Sequence, residues 1–128
     1  MNTTYKKHDP AFEKAIELAH LVYDLLPKFP AEERYGICNQ LRRAVLSVPA
    51  NMTEGYARRK GKVFLNHLEI AYGSLMEVKF FLHFSCKRAF ITTGEYVQCW
   101  NVLDQLGALL WKSIITLEST INEAPARC

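Results

Sequence analysis

The sequence predicts an all-α fold, an antiparallel up-down-up-down four-helix bundle, and three observations carry that prediction. Apolar residues recur every three or four positions through four stretches of the chain. Proline, glycine and capping residues punctuate the chain between those stretches. The joints are only about three to six residues long, which favours antiparallel neighbours. No stretch alternates as a strand pair would, and neither an internal repeat nor a linker is visible, so residues 1–128 read as one domain.

Helix 1 is expected over about residues 10–26. Asp9 can cap the first free N–H groups, and Pro10 at the first helical position forfeits no hydrogen bond. Its stripe is Phe12, Ile16, Ala19, Val22 and Leu26, and Pro27 ends it. Helix 2 is expected over about 31–57, opened by Pro30 with Glu32 and Glu33 at the positive end of the helix dipole. Its stripe, Ile37, Cys38, Leu41, Ala44/Val45, Val48, Met52 and Gly55, keeps phase across Pro49. An internal proline costs one backbone hydrogen bond, so helix 2 is expected to kink there rather than break. Helix 3 is expected over about 63–87. Thr92 and Glu95 form a capping-box pattern that starts helix 4, expected over about 93–121 on the stripe Tyr96, Cys99, Leu103, Leu106, Leu110, Ile114, Leu117 and Ile121.

Of the 128 residues 49% are apolar and 23% charged, which excludes disorder and low complexity. Apolar runs stop at four or five residues, so no membrane span is expected, and without a signal-type segment the reading is cytoplasmic. Cys38, Cys86, Cys99 and Cys128 lack the spacing of a metal site or a redox pair; the first three read as small buried residues and Cys128 as a free tail thiol.

Two features exceed what a single bundle needs. Helix 3 fills one stripe with Phe64, Leu65, Leu68, Ala71, Leu75, Val78 and Leu82, yet Ile70, Tyr72, Met76, Phe80, Phe81 and Phe84 spread around the remaining circumference. On helix 4, Trp100 and Trp111 point nearly the same way, about 70° off the leucine stripe, on a shoulder shared with Asp104. Widening of the core is one reading. Self-association is the other, and the preferred one, with Tyr72, Met76, Phe80, Phe84, Trp100 and Trp111 at the oligomer interface. The second feature is charge. Residues 34–62 hold seven basic side chains and one acidic, so this part carries +6 within a chain of net +3. Such segregation suits phosphate contacts by Arg42, Arg43, Arg58, Arg59, Lys60 and Lys62. The competing reading pairs Arg42 and Arg43 with Glu69, Glu77 or Glu54 and leaves only a solvated turn.

The sequence holds little that could do catalytic chemistry. Glu17-Leu18-Ala19-His20 is a lone ExxH, whereas a di-iron bundle takes two, and it reads as a surface pair. His67-Leu68-Glu69 has no PCxxC partner, and His67 and His83 lie about 160° apart around helix 3. Ser47 and Ser74 lack a nucleophile elbow, Gly73-Ser74 reads as a close helix approach, and the glycines form no phosphate loop. No enzyme, metal or cofactor is expected.

The stretch Phe29-Pro30-Ala31-Glu32-Glu33-Arg34-Tyr35-Gly36, then Gln40-Leu41-Arg42-Arg43-Ala44-Val45-Leu46-Ser47-Val48-Pro49-Ala50-Asn51-Met52-Thr53-Glu54-Gly55, resembles the four-helix-bundle family encoded in intervening sequences of large-subunit ribosomal RNA genes. Phe64-Leu65 and Ile70-Ala71-Tyr72-Gly73-Ser74-Leu75-Met76-Glu77 extend the likeness, which covers about residues 12–121. Accessory variability determinants of diversity-generating retroelements are related members. The resemblance implies a homopentameric barrel with a basic surface, in which the retroelement members bind nucleic acid and the partner reverse transcriptase while many other members have no assigned activity, and it supplies no catalytic residue. Thr53 stands where the family usually has Ala, and Ala89-Phe90-Ile91 where it has Gly-Tyr-Ile. The expected function is a non-enzymatic, oligomeric RNA-binding accessory to a reverse transcriptase, with a protein-interaction scaffold that binds no nucleic acid as the alternative.

Overall fold

The computed structural model describes residues 9–58 and 60–123. Four α-helices, α1 (Pro10–Leu25), α2 (Ile37–Arg58), α3 (Gly61–Lys87) and α4 (Thr93–Glu123), account for most of them, and no strand occurs among the described residues. Each helix packs on its two neighbours in chain order, with α4 returning to α1. Contacts climb one helix as they descend the next. Ser47 meets Ser74, Asn51 meets His67 and Gly55 meets Phe64 between α2 and α3. Tyr72 meets Trp111, Lys79 meets Trp100 and His83 meets Tyr96 between α3 and α4. This packing is consistent with the expected arrangement.

Two of the three predicted helix starts form, at Asp9 and at Thr92. The Asp9 carboxylate accepts from the amides of Ala11 and Phe12 at 3.1 and 3.2 Å, and its second oxygen takes the Tyr56 hydroxyl of α2 at 2.5 Å. The capping box is reciprocal: the Thr92 amide donates to Glu95 at 2.9 Å, and the Glu95 amide donates to the Thr92 hydroxyl at 3.1 Å. Glu95 also receives the Lys28 ammonium, which ties the end of α1 to the start of α4.

Two expectations about elements are corrected. Helix 2 begins at Ile37, not Ala31, because Ala31–Glu33 close a separate 3-10 turn with the Arg34 amide bonded to the Ala31 carbonyl. On α1 the buried face is Ala11, Ala15, Leu18, Ala19, Val22 and Leu25, so Ile16 points outward at 37% exposure and Phe12 is only half-buried. The chain offers two apolar stripes one residue apart, and the one with the small alanines wins because it lets neighbouring helices approach. The α2 stripe is buried throughout, and the helix runs through Pro49 without a break. On α3 the buried face keeps Leu68, Ala71, Leu75, Val78 and Leu82, while Phe64 and Leu65 are half-buried. Cys38 and Cys99 are buried; Cys86 is half-buried, and Cys128 lies outside the described residues. Burial pushes the Cys99 thiol up to about 11, with the Glu95 carboxylate adding to it.

The end of α3 explains the departure at Ala89. Its φ of 62° is left-handed, and the amides of Phe90 and Ala89 bond the carbonyls of Ser85 and Cys86. This is the Schellman closure, in which glycine is favoured at the left-handed position because a Cβ there crowds the following carbonyl. Ala89→Gly is therefore expected to stabilise the fold by about 1 kcal/mol, read as a higher denaturant midpoint at unchanged slope. Glu95 supplies a second prediction. The Lys28 hydrogen bond first, then the Thr92 amide, hold its carboxyl below the ordinary value. Its contribution to stability is thus complete above the unfolded carboxyl pKa and is lost as pH falls through the lower folded one. Glu95→Gln should flatten the acid limb of the stability curve.

Candidate nucleic-acid interface

The motif that carries the resemblance lies in a polar seam between α2 and α3. The Asn51 amide nitrogen donates to the Ser47 carbonyl at 2.9 Å and to the Ser47 hydroxyl at 3.0 Å, and that hydroxyl meets the Ser74 hydroxyl at 2.8 Å. Asn51 Oδ1 faces His67 Nδ1 at 3.0 Å. A carbonyl only accepts, so the bond to Ser47 fixes which end of the Asn51 amide points where, and Oδ1 is left to accept from His67. His67 therefore carries its proton on Nδ1, leaving Nε2 as the acceptor of the neutral ring.

One turn further on, Gly55 brings the helices together. A Cβ there would meet the Phe64 ring at 3.0 Å and the His67 Cβ at 3.1 Å. Phe64 in turn packs edge-on against Tyr56, with centroids 5.6 Å apart. The Ser47, Asn51 and Gly55 positions are thus spent on locking α2 to α3. The close approach read at Gly73-Ser74 is half right: Ser74 is buried in the seam, but Gly73 is exposed with nothing within 4 Å of an added Cβ.

The seam sets where the charges go, and it separates them. Arg42 and Arg43 lie in the second turn of α2 and Arg58 at its end, sixteen residues or about 24 Å along the axis. That is more than twice the ~10 Å Debye length at 0.1 M salt, so the two groups act separately. The single basic region expected from sequence is two regions. Arg43, Lys60 and Lys62 are exposed and join no ion pair among the described residues; Arg59 lies outside them. Arg42 sits with its guanidinium 5.9 Å from the Tyr23 ring centroid. The pairing of Arg42 or Arg43 with Glu69, Glu77 or Glu54 does not occur there. Arg58 instead takes Glu54 at 2.8 Å, one turn back on its own helix, which removes part of its charge from the surface. Lys60, at the N-cap of α3, makes no side-chain cap bond, and among the described residues the positive dipole end of the helix opens beside Lys60 and Lys62.

The aromatic surplus lies on α3 and α4. Phe80, Phe84 and Trp111 are 59%, 43% and 50% exposed, whereas Tyr72, Met76 and Trp100 are half-buried. A groove of about 280 Å³ runs past Tyr72, Met76, Trp100, Asp104 and Trp111, and Lys79 lies 4.9 Å from the Trp100 ring centroid. Phe80 stacks on Phe84 at 6.2 Å without covering it. Glu17 of the ExxH pattern pairs with Lys14 at 3.6 Å, and both Glu17 and His20 are exposed. No group of three metal-ligating side chains occurs among the described residues, and no described helix is long and apolar enough to cross a membrane.

If the motif is a seam, its loss acts on stability. Asn51→Ala leaves His67 and the Ser47 hydroxyl each short of a partner and is expected to cost about 1–3 kcal/mol in chemical denaturation while polyanion affinity stays unchanged.

Comparison with known proteins agrees with this fold. A crystal structure of a protein of unknown function from the S23 ribosomal protein family of Bacteroides thetaiotaomicron superposes with a TM-score of 0.75 at 24% identity, over 81% of this chain and 97% of that one. No curated protein matches the chain. The family model for the 23S rRNA-intervening sequence protein matches residues 8–112, which takes in α1, the seam, all of α3 and most of α4. The residues that lock α2 to α3 lie within the matched span, and the chain belongs to the 23S rRNA-intervening sequence protein family.

Proposed function

We propose that this chain is a non-enzymatic RNA-binding protein: an up-down-up-down antiparallel bundle, kinked at Pro49, that self-associates through its α3–α4 face and contacts phosphates with its basic corners. One observation carries the reading. At the α2–α3 corner the lysines at 60 and 62 have no carboxylate partner among the described residues and flank a helix N-terminus that Lys60 does not cap, which together favour a phosphate over water. The family description, which names ribosomal RNA, supports RNA as the polyanion.

Self-association is supported by Phe80, Phe84 and Trp111, because large exposed aromatic side chains on one pair of helices are costly on a lone protein. A pentamer and a reverse-transcriptase partner are the finer parts of the proposal and come from the resemblance to accessory variability determinants. Co-purification of the chain with a reverse transcriptase encoded beside it tests the partner.

The scaffold alternative has an observation of its own: the basic side chains fall into two regions, and Glu54 offsets one of them. Two measurements decide. Light scattering at micromolar concentration is expected to give several times 14.7 kDa, lowered by polar replacement of Phe80 or Trp111; a monomer refutes the interface. Charge reversal at Arg58, Arg59, Lys60 and Lys62 is expected to abolish binding of a homopolymer RNA while the assembly survives, and the wild-type affinity should fall steeply with salt. Unchanged RNA affinity favours the scaffold.

A further inference from the structure

A cleft of about 390 Å³ opens where the end of α1 turns into the start of α2. Leu26, Phe29 and Cys38 are its buried lining, Tyr23 and Pro30 stand higher, and Arg34 and Arg42 supply its charge. Its volume falls within the ~300–1,000 Å³ of small-molecule pockets. It forms because Pro27 and Pro30 stop α1 and the 3-10 turn at Ala31–Glu33 delays α2 until Ile37, leaving the corner unfilled.

The charges in this corner are oriented. Arg42 is held over the Tyr23 ring at 5.9 Å, and neither it nor Arg34 has a carboxylate partner among the described residues. Glu33, the one acid that acts on Cys38 alongside Arg42 and Arg34, is folded back toward Gly36, where its Oε1 would lie 3.1 Å from an added Cβ. Two guanidiniums against one carboxylate leave the cleft net positive, beside an aromatic and proline wall. Arginine suits this role because its planar fork binds phosphate and its face stacks on rings.

The geometry points to this cleft as the seat of one unpaired nucleotide of an RNA strand, its phosphate on Arg34 and its base packed against the Tyr23–Arg42 pair and Pro30. This rests on the RNA-binding reading and adds to it a preference for single strands. Duplex RNA keeps its bases stacked and offers nothing to insert.

Calorimetric titration of the full chain with adenosine monophosphate, adenosine and inorganic phosphate tests the cleft, alongside anisotropy with a short single-stranded oligoadenylate and with an RNA duplex. Adenosine monophosphate is expected to bind more tightly than either fragment. Arg34→Gln, Arg42→Gln and Tyr23→Leu should each weaken it and the single strand by about fivefold or more, and Tyr23→Leu, which changes no charge, should leave the duplex unaffected. Thermal melts by circular dichroism check folding; if Arg42→Gln fails to fold, the exposed Arg34→Gln decides. Adenosine monophosphate binding no tighter than phosphate, or bound equally by the variants, overturns the proposal. Should those variants still hold the single strand while reversal at Lys60 and Lys62 releases it, the cleft is excluded and the RNA reading stands. No binding of any probe overturns both.

Discussion

The polar seam between α2 and α3 is the constraint on which the remaining structure depends. Ser47, Asn51, Ser74 and His67 satisfy one another across a helix interface, so a slide of one helix along the other would strand half-buried donors and acceptors. Gly55 adds a steric lock in the same place. Apolar packing alone tolerates such slides, because a leucine stripe looks much alike one turn further on. Hydrogen bonds and a missing Cβ do not repeat that way, and they single out one register.

That register distributes the surface. It holds Arg42 and Arg43 near one end of α2 and turns Arg58, Lys60 and Lys62 toward the other, next to the start of α3. It also spends the inner face of α3 on Leu68, Ala71, Leu75, Val78 and Leu82, which leaves Phe80 and Phe84 outside. The aromatic face and the basic corners are therefore two consequences of one alignment, with chemistry suited to different partners.

Much of this was legible in the sequence. The α2 stripe, the Asp9 cap and the Thr92–Glu95 box are short-range signals, and short-range signals survive folding. The buried face of α1 was not, since Phe12/Ile16 and Ala11/Ala15 give equally regular stripes and only the neighbours decide between them. The late start of α2 was hidden as well, because Glu32 and Glu33 favour a helix start of either pitch. Charge counting saw seven basic residues in one stretch, but a helix of this length carries its two ends apart. The roles of Asn51 and His67 were the least visible. Both are polar residues near an apolar stripe, and their meaning lies in a partner sixteen residues away across the joint.

The central claim is that His67 is a structural donor held by Asn51, and the nitrogen-15 NMR spectrum of its imidazole addresses that directly. Held in the seam, the neutral ring should carry its proton on Nδ1, with Nε2 bare. A ring protonated on Nε2, the form that free histidine prefers in water, would mean that the Asn51–His67 bond is absent and the two helices are aligned by something else.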